Sequence, residues 1–480
     1  MSHDPTPPPP FDPERFRAEG RAVIDWVADY WASLAARRVT PDVRPGDVRS
    51  QLPPRPPESP VPLADILADL DRIILPALTH WQHPAFFGYF PASASGPSIL
   101  GELLAAGLGV QGMLWATSPA CTELEAHVLD WLRDLLGLPK RFASAGAGGG
   151  VIQDSASSGV LVAMVAARER ATARRTNAGG VTASAAPLVA YASADAHSSV
   201  DKAAGIAGIG RDAVRKVPVD GLGRMDLPAL AAAVHADVAA GRRPFFAAAT
   251  VGSTACGAID PLPAIAEILA PHSAWLHVDA AWAGAAAICP ELRGVVVAGA
   301  ERADSWGFNP HKWLLVNFDC HALWVSDRQA VVSALSTKPE YLRNAASESG
   351  AVIDYADWQV PLGRRFRALK LWMTLRMLGA AALREHVRRH VAWAREFAAL
   401  VAEDPRFELL LAPNLSLVCF ALTAGDDATR ELLDRLNATG RCLLTHAHVG
   451  GRYAIRMAIG GATTGRDDVL ATWRLLASLA

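Results

Sequence analysis

The sequence predicts an α/β protein: a large unit on a mainly parallel sheet, a smaller α+β unit after it and a helical segment before it. Three observations predict this. From residue 150 onward, short apolar strands alternate with helices, as in a parallel sheet covered on both faces. After Leu369 the alternation gives way to one long helical stretch, then strands and a last helix. The chain has 480 residues, more than a single core accommodates, so two or three units are expected.

In chain order, residues 11–34 carry Phe16, Val23, Trp26, Val27, Tyr30 and Trp31 at helical spacing. This is an amphipathic helix whose aromatic face needs a cover, either the body of the fold or another subunit. Residues 41–62 are rich in proline and are expected to form an extended arm without helix. Helix resumes over 63–75. The alternating part reads as helix 160–170, strand 188–191, helix 199–206, strand 214–217 and helix 228–239. Strand 245–251, helix 261–269 and strand 275–278 follow, with strand-like stretches at 304–308 and 321–325. Residues 369–401 form a long helix broken near Gly379, 415–422 and 453–459 are strands, and 467–479 is a final helix. The expected boundaries are 1–95, 96–369 and 370–480.

Composition excludes several classes. The chain has 46 basic and 48 acidic side chains and no basic stripe, so no nucleic-acid partner is expected. Six cysteines lie scattered without CxxC spacing and read as reduced core residues of a cytoplasmic protein, not as disulfides or a metal site. Residues 1–10 lack the apolar core of a signal peptide. No stretch approaches the roughly 18 uncharged apolar residues of a membrane span.

Chemistry is concentrated at strand ends. Lys312 lies in Phe308-Asn309-Pro310-His311-Lys312-Trp313, and upstream the strand Trp275-Leu276-His277-Val278 ends in Asp279-Ala280-Ala281. A lysine amine that can form a Schiff base, near a carboxylate that can hold a pyridine nitrogen protonated, is what pyridoxal phosphate requires. Each residue also has a plainer reading: Asp279 as a helix cap, Lys312 as a surface lysine. Gly148-Gly149-Gly150 and Ser155-Ala156-Ser157-Ser158-Gly159 precede an apolar helix and can cradle a phosphate, or simply cap that helix. Ser253-Thr254 can add a hydroxyl or be an ordinary turn. His197 follows a strand and can lie on a cofactor ring, or cap the next helix. These groups occur in order, each at a strand–helix junction, where ligands of such sheets gather.

At these residues the chain resembles the pyridoxal-phosphate-dependent aromatic L-amino-acid decarboxylases of the group II decarboxylase family. The resemblance runs from about Phe16 to the end. It is carried by His83-Pro84 with residues 86–91, by 118–125, 149–157, 277–281, Asn309-Pro310-His311-Lys312-Trp313 and 361–367. It implies the fold-type I architecture of pyridoxal enzymes, an N-terminal segment that wraps a partner subunit, and a homodimer. It also implies that Lys312 is the Schiff-base lysine, Asp279 the partner of the pyridine nitrogen and His197 the ring-stacking histidine. Ala156, Ser157, Thr254, Ala281, Asn309 and His311 become cofactor neighbours. Tyr341 becomes the loop acid that protonates the α-carbon, in a lid over 336–350. Trp81, Tyr89, Phe90, Pro91 and Ala92 become the substrate wall, with Gln111 and Met113 supplied across the dimer and Gly363 a further substrate-binding residue.

The resemblance implies decarboxylation of an aromatic amino acid to the amine and carbon dioxide. Ala92 stands where catechol-handling relatives have a threonine, and Gly363 resembles the indole-accepting members, so tryptophan or phenylalanine is expected over dopa or tyrosine. Gln111 is expected either to reach an indole N–H or to face the dimer seam. An aldehyde synthase on the same fold and a non-catalytic cofactor-binding scaffold are the competing readings. A glutamate decarboxylase fits less well, because no arginine occurs among residues 81–92.

Overall fold

The computed structural model describes residues 11–337, 345–348 and 352–480. Its centre is a seven-stranded sheet. The strands are β1 (Gly149–Gln153), β2 (Leu188–Ser193), β3 (Val214–Val217), β4 (Arg243–Thr250), β5 (Trp275–Asp279), β6 (Ser305–Phe308) and β7 (His321–Val325). Their order is β1-β7-β6-β5-β4-β2-β3. Strands β3, β2, β4, β5 and β6 are parallel, β7 is antiparallel to β6, and β1 is antiparallel to β7. All strands but β7 therefore point the same way, and their carboxyl ends form one edge.

Side-chain alternation feeds two cores. Val189 and Tyr191 of β2 join a core with Val128 and Leu132 of helix Pro119–Leu136. Leu188, Ala190 and Ala192 join the opposite core with Val160 and Met164 of helix Ala156–Ala171. Both faces are thus covered, which is why these strands read as unbroken apolar runs.

A second, antiparallel sheet is built from β8 (Phe407–Leu411), β9 (Leu417–Leu422), β10 (Thr445–Val449) and β11 (Arg452–Ala458), in the order β10-β11-β9-β8. Its core takes Phe397 and Val401 from helix Arg367–Glu403, Leu432 from Asp426–Ala438 and Leu476 from Arg466–Leu479. The long helix breaks at Gly379 (φ 74°), as expected. Phe86 and Phe87 join this same core, so the segment preceding the large sheet is anchored on the second one.

The N-terminal helix spans Pro13–Ser33, capped by Asp12, whose Oδ1 accepts the N–H groups of Glu14 and Arg15. Trp26 Nε1 donates to Asp71 and the Tyr30 hydroxyl pairs with His80, yet no residue of the helix is buried. One expectation fails: the arm over 41–62 contains a short helix, Asp47–Gln51. Its prolines flank residues 46–51 and leave them free to turn, and Asp47 Oδ2 accepts the Arg44 N–H at 2.7 Å. The helix expected over 63–75 is an α-helix, Leu63–Asp69, continued by a π turn over Leu70–Ile74. The expected lid and Tyr341 fall largely on residues 338–344 and 349–351, outside the described residues.

Candidate active site

The carboxyl edge of the large sheet gathers most of the residues singled out in the sequence. Asp279 ends β5 and is buried. Its Oδ1 accepts the Ala281 N–H at 3.0 Å, so the capping reading is met by one carboxylate oxygen. Asn309, just past β6, donates its N–H to Ala281 O, and Lys312 donates its N–H to Asn309 O, both at 2.9 Å. The lysine thus stands on a single helical turn, Pro310–Trp313, tied to the Asp279 turn.

Burial pulls the Lys312 ammonium below the usual lysine range; Asp279 opposes this and Arg456 adds to it. A lysine that loses its proton readily is a nucleophile. Another lysine, the buried Lys370, is pushed down to about 8 by burial, but its Nζ is held by Glu102 at 2.6 Å. The loop after Lys312 is pinned from outside the sheet. Leu315 has φ 60°; its N–H donates to Ser93 Oγ at 3.2 Å and its carbonyl accepts from Ser95 Oγ at 2.7 Å. Trp313 Nε1 donates to His390 Nδ1 at 2.9 Å.

His197 lies just past β2. Its Nδ1 accepts the Ser199 N–H at 3.1 Å, so the helix-cap reading is also met, and the neutral ring carries its proton on Nε2. Burial lowers its pKa, with Asp279 opposing and Lys312 assisting, which places its ring in the electrostatic field of both. Ala156 and Ser157 begin helix Ala156–Ala171, where first-turn amides have no intrahelical acceptor. Ser155 is the cap: its Oγ accepts the Ser158 N–H at 3.3 Å.

The glycines before this turn do something else. Gly149 and Gly150 lie inside β1, and a Cβ there would meet the Trp358 ring at 3.0 Å or Trp324 Nε1 at 2.8 Å. They make room for tryptophans. Ser253 Oγ accepts the N–H groups of Cys256 and Ala258 and so holds its own turn, leaving the exposed Thr254 as the available hydroxyl.

Asn309 Oδ1 pairs with His321 Nδ1 at 2.5 Å, and His311 Nδ1 accepts the Cys320 N–H at 2.9 Å. Burial first, then Lys312, pushes His311 down to about 3.

The wall residues follow. Trp81 and Tyr89 stack at 5.5 Å, and Phe90 packs on Trp282 at 4.5 Å and on Trp313 at 5.5 Å, next to Lys312. Pro91 lies against Gly460, and Ala92 O accepts from Gln82 Nε2 at 2.6 Å. Gln111 and Gly363 meet elsewhere, at Arg364, and the Met113 carbonyl accepts the Ala356 N–H at 3.0 Å. Gln111 Oε1 accepts the Arg364 N–H at 2.5 Å, and a Cβ on Gly363 would lie 3.3 Å from Gln111 Nε2. Oε1 thus spends one acceptor position on the Arg364 backbone and keeps a second, and Nε2 keeps its N–H donors.

Two site residues escaped the sequence reading. His321 opens β7 beside Asn309, in space left by Gly159 and Gly307, where a Cβ would come within 2.3 Å and 2.8 Å of its ring. Nothing in the sequence marks it. Arg456 did leave a signal: it is a lone cation inside the apolar run Tyr453-Ala454-Ile455-Arg456-Met457-Ala458-Ile459.

A lysine with a depressed pKa, a strand-end aspartate, a neutral histidine and open helix amides on one sheet edge fit pyridoxal phosphate, and together they define a fold-type I pyridoxal enzyme. Residues 45–423 match the pyridoxal-dependent decarboxylase conserved domain. The chain is 44% identical over 476 residues to phenylacetaldehyde synthase of Arabidopsis thaliana, covering 97% of this chain and 96% of that one. It is 44% identical over 470 residues to aromatic-L-amino-acid decarboxylase of Cavia porcellus, covering 97% of each. Among solved structures it is similar to Oryza sativa TDC with PLP and tryptamine, with a TM-score of 0.94, 40% identity and 98% of each chain covered. The chain belongs to the pyridoxal-dependent decarboxylase family, and it is a carboxy-lyase that uses pyridoxal phosphate.

Proposed function

We propose that the protein decarboxylates an aromatic L-amino acid to its arylalkylamine, with tryptophan or phenylalanine preferred over dopa or tyrosine. The observation that carries this is Lys312 in the field of Asp279 on the carboxyl edge, with the Phe90 ring packed on the neighbouring Trp313. The relatives named as aromatic-amino-acid enzymes support it.

The residues divide the work. Lys312 Nζ would hold the cofactor's aldehyde carbon; the amides of Ala156 and Ser157 with the Thr254 hydroxyl would hold its phosphate. Asp279 would keep the pyridine nitrogen protonated, with Ala281, Asn309 and His311 shaping the floor. The bound cofactor supplies an electron sink for the pair left when carbon dioxide departs. His197 presents a flat, neutral ring whose orientation is fixed at Nδ1 by Ser199. Tyr341 would return a proton to the α-carbon, and Lys312 would release the amine. Presence of both His197 and Tyr341 favours the amine over the aldehyde made by synthases of the same fold.

The ring preference rests on Ala92 and Gly363. A methyl group offers no hydrogen bond to a ring hydroxyl, and a hydroxyl left against it is poorly solvated. Two further parts belong to the same reading. Leu100, Leu103, Leu104 and Leu108 of helix Gly96–Leu108, and Phe16, Val23 and Ile24 of the first helix, are exposed, which suits a homodimer that covers them. Six free, buried cysteines suit a reducing cytoplasm.

The test is a panel of tryptophan, phenylalanine, tyrosine, dopa and histidine, assayed for amine, aldehyde, hydrogen peroxide and carbon dioxide. Equal amine and carbon dioxide from tryptophan or phenylalanine is the expected result. Aldehyde with peroxide would establish the synthase, and yellow protein with no product from any of them would establish a scaffold. Competition between tryptophan and dopa decides the ring preference.

A further inference from the structure

We propose that Thr445 and Arg456 are positioning residues for the substrate wall: they clamp Tyr89 in a left-handed backbone conformation and so set where the Trp81–Tyr89 stack stands. The proposal deepens the aromatic-amino-acid reading and rests on it for the role of that wall.

Tyr89 has φ 55°, a conformation that a bulky L-residue holds only when its surroundings impose it. Here the second sheet imposes it. The Tyr89 N–H donates to Thr445 Oγ1 at 3.2 Å. Arg456 Nη1 donates to that same oxygen at 2.9 Å, and Arg456 Nη2 donates to the Tyr89 carbonyl at 3.2 Å. Both backbone polar groups of the strained residue are thus held by one cross-strand pair, since Thr445 of β10 lies opposite Arg456 of β11.

The chain is fixed on either side of the corner. Before it, the Phe87 N–H donates to Leu443 O at 2.9 Å and the Ala458 N–H donates to Phe87 O at 3.1 Å. A Cβ on Gly88 would meet Leu443 at 3.2 Å. After it, Phe90 is wedged against Trp282 and Trp313. Tyr89 must join these two anchored stretches, and its exposed ring reaches Trp81, stacked at 14° between planes.

Arg456 is nearly fully buried, and no ion pair to a carboxylate holds it among the described residues. Its Nε donates to Ala255 O at 3.0 Å, beside Thr254. A cation buried in this way is costly. Its planar fork bonds three segments at once: the wall, the Thr254 loop and β10. A lysine, as a point charge on a flexible stem, does not reproduce that geometry. The clamp therefore ties the aromatic wall to the loop expected to hold the cofactor phosphate.

Holoenzyme carrying Thr445→Val, which keeps the shape and loses the oxygen, is compared with Thr445→Ser, which keeps the oxygen. The expected result for Thr445→Val is a KM for tryptophan raised about tenfold with kcat within about threefold of wild type, because the ring is misplaced while the reacting centre is not. Thr445→Ser stays close to wild type, and cofactor absorbance is unchanged in both. In a Tyr89→Gly background, where φ 55° needs no restraint, Thr445→Val adds nothing further. If Thr445→Val does not fold, Arg456→Lys carries the same expectation for KM and kcat.

The clamp is overturned by an unchanged KM in Thr445→Val, by equal effects of valine and serine, or by an undiminished valine effect in the Tyr89→Gly background. Tryptamine titration, read from cofactor absorbance, separates this from the functional reading. Loss of tryptamine binding in the valine variant alone, with no amine made even by wild type, would sink the decarboxylase assignment and keep the clamp.

Discussion

At the scale of single residues, Asp279 and Lys312 are the groups proposed to carry the chemistry. Replacing Asp279 by asparagine leaves one oxygen for the Ala281 N–H and removes the charge. Asp279→Asn is therefore expected to bind the cofactor and to lose several orders of magnitude in kcat, since the charge matters most in the transition state. A loss of only about tenfold, roughly 1.4 kcal/mol of barrier, would remove the role given to this carboxylate. Tyr341→Phe is expected to shift product from amine towards aldehyde, because an α-carbon deprived of its proton donor would stay open to dioxygen. Oxygen uptake and peroxide measured beside amine check this; amine alone at the wild-type rate would point to another acid. Lys312, Asp279 and His197 were legible in the sequence because each lies at or a few residues past a strand end, in an ordered series. Their plainer readings were legible too, and two are true at once: Asp279 and His197 each spend one atom on a turn and keep the rest for the site. Gly149 and Gly150 misled, since a glycine that makes room for a tryptophan looks the same in sequence as one that makes room for a phosphate.

Among elements, the strands and helices of the alternating region were read to within a few residues, because burial on both faces leaves an unmistakable apolar run. Others were not assigned. Helix Gly96–Leu108 has an apolar outer face, with Leu100, Leu103, Leu104 and Leu108 exposed, so no amphipathic period marks it. Strand β10 carries Thr445, His446 and His448 in only five residues and reads as loop. Helix Pro119–Leu136 is joined to β1 and to the 359–364 loop by a buried ion pair. Glu125 Oε1 accepts from Arg364 Nη2 at 2.5 Å and from the Ile152 N–H at 2.8 Å, and Arg364 also donates to Gln359 at 2.6 Å. Glu125→Ala leaves the guanidinium buried without its counter-charge and is expected to cost about 3–5 kcal/mol of stability. Urea unfolding of the holoenzyme measures it; a loss below about 1 kcal/mol, the range of a surface pair, would show that the pair is solvated.

At the scale of the whole molecule, Phe86 and Phe87 sit in the second core and the lysine turn is tied to the long helix through Trp313 and His390. The fold also stores acid sensitivity, in its buried histidines. Burial depresses His277 to about 4, His311 to about 3, and His321, His386 and His390 below the usual histidine range. A folded-state pKa below the unfolded value means that the stabilisation is complete above about pH 6.5 and is lost as pH falls through the folded values. The urea midpoint is expected to fall from pH 6.5 towards pH 4, with uptake of several protons on unfolding. A midpoint flat across that window would mean that these rings are charged in the folded protein.

The most direct measurement of the central claim asks which lysine holds the cofactor. Among the described residues Lys312 and Lys370 both have depressed pKa values, but Lys370 is paired with Glu102 while Lys312 lies in the field of Asp279. Borohydride reduction of the yellow holoenzyme, followed by mass spectrometry of its peptides, is predicted to place the pyridoxyl group on Lys312. Lys312→Ala should then be a folded protein that takes no label and makes no amine. Label on Lys370 or any other lysine, or sustained turnover by Lys312→Ala, would contradict the account.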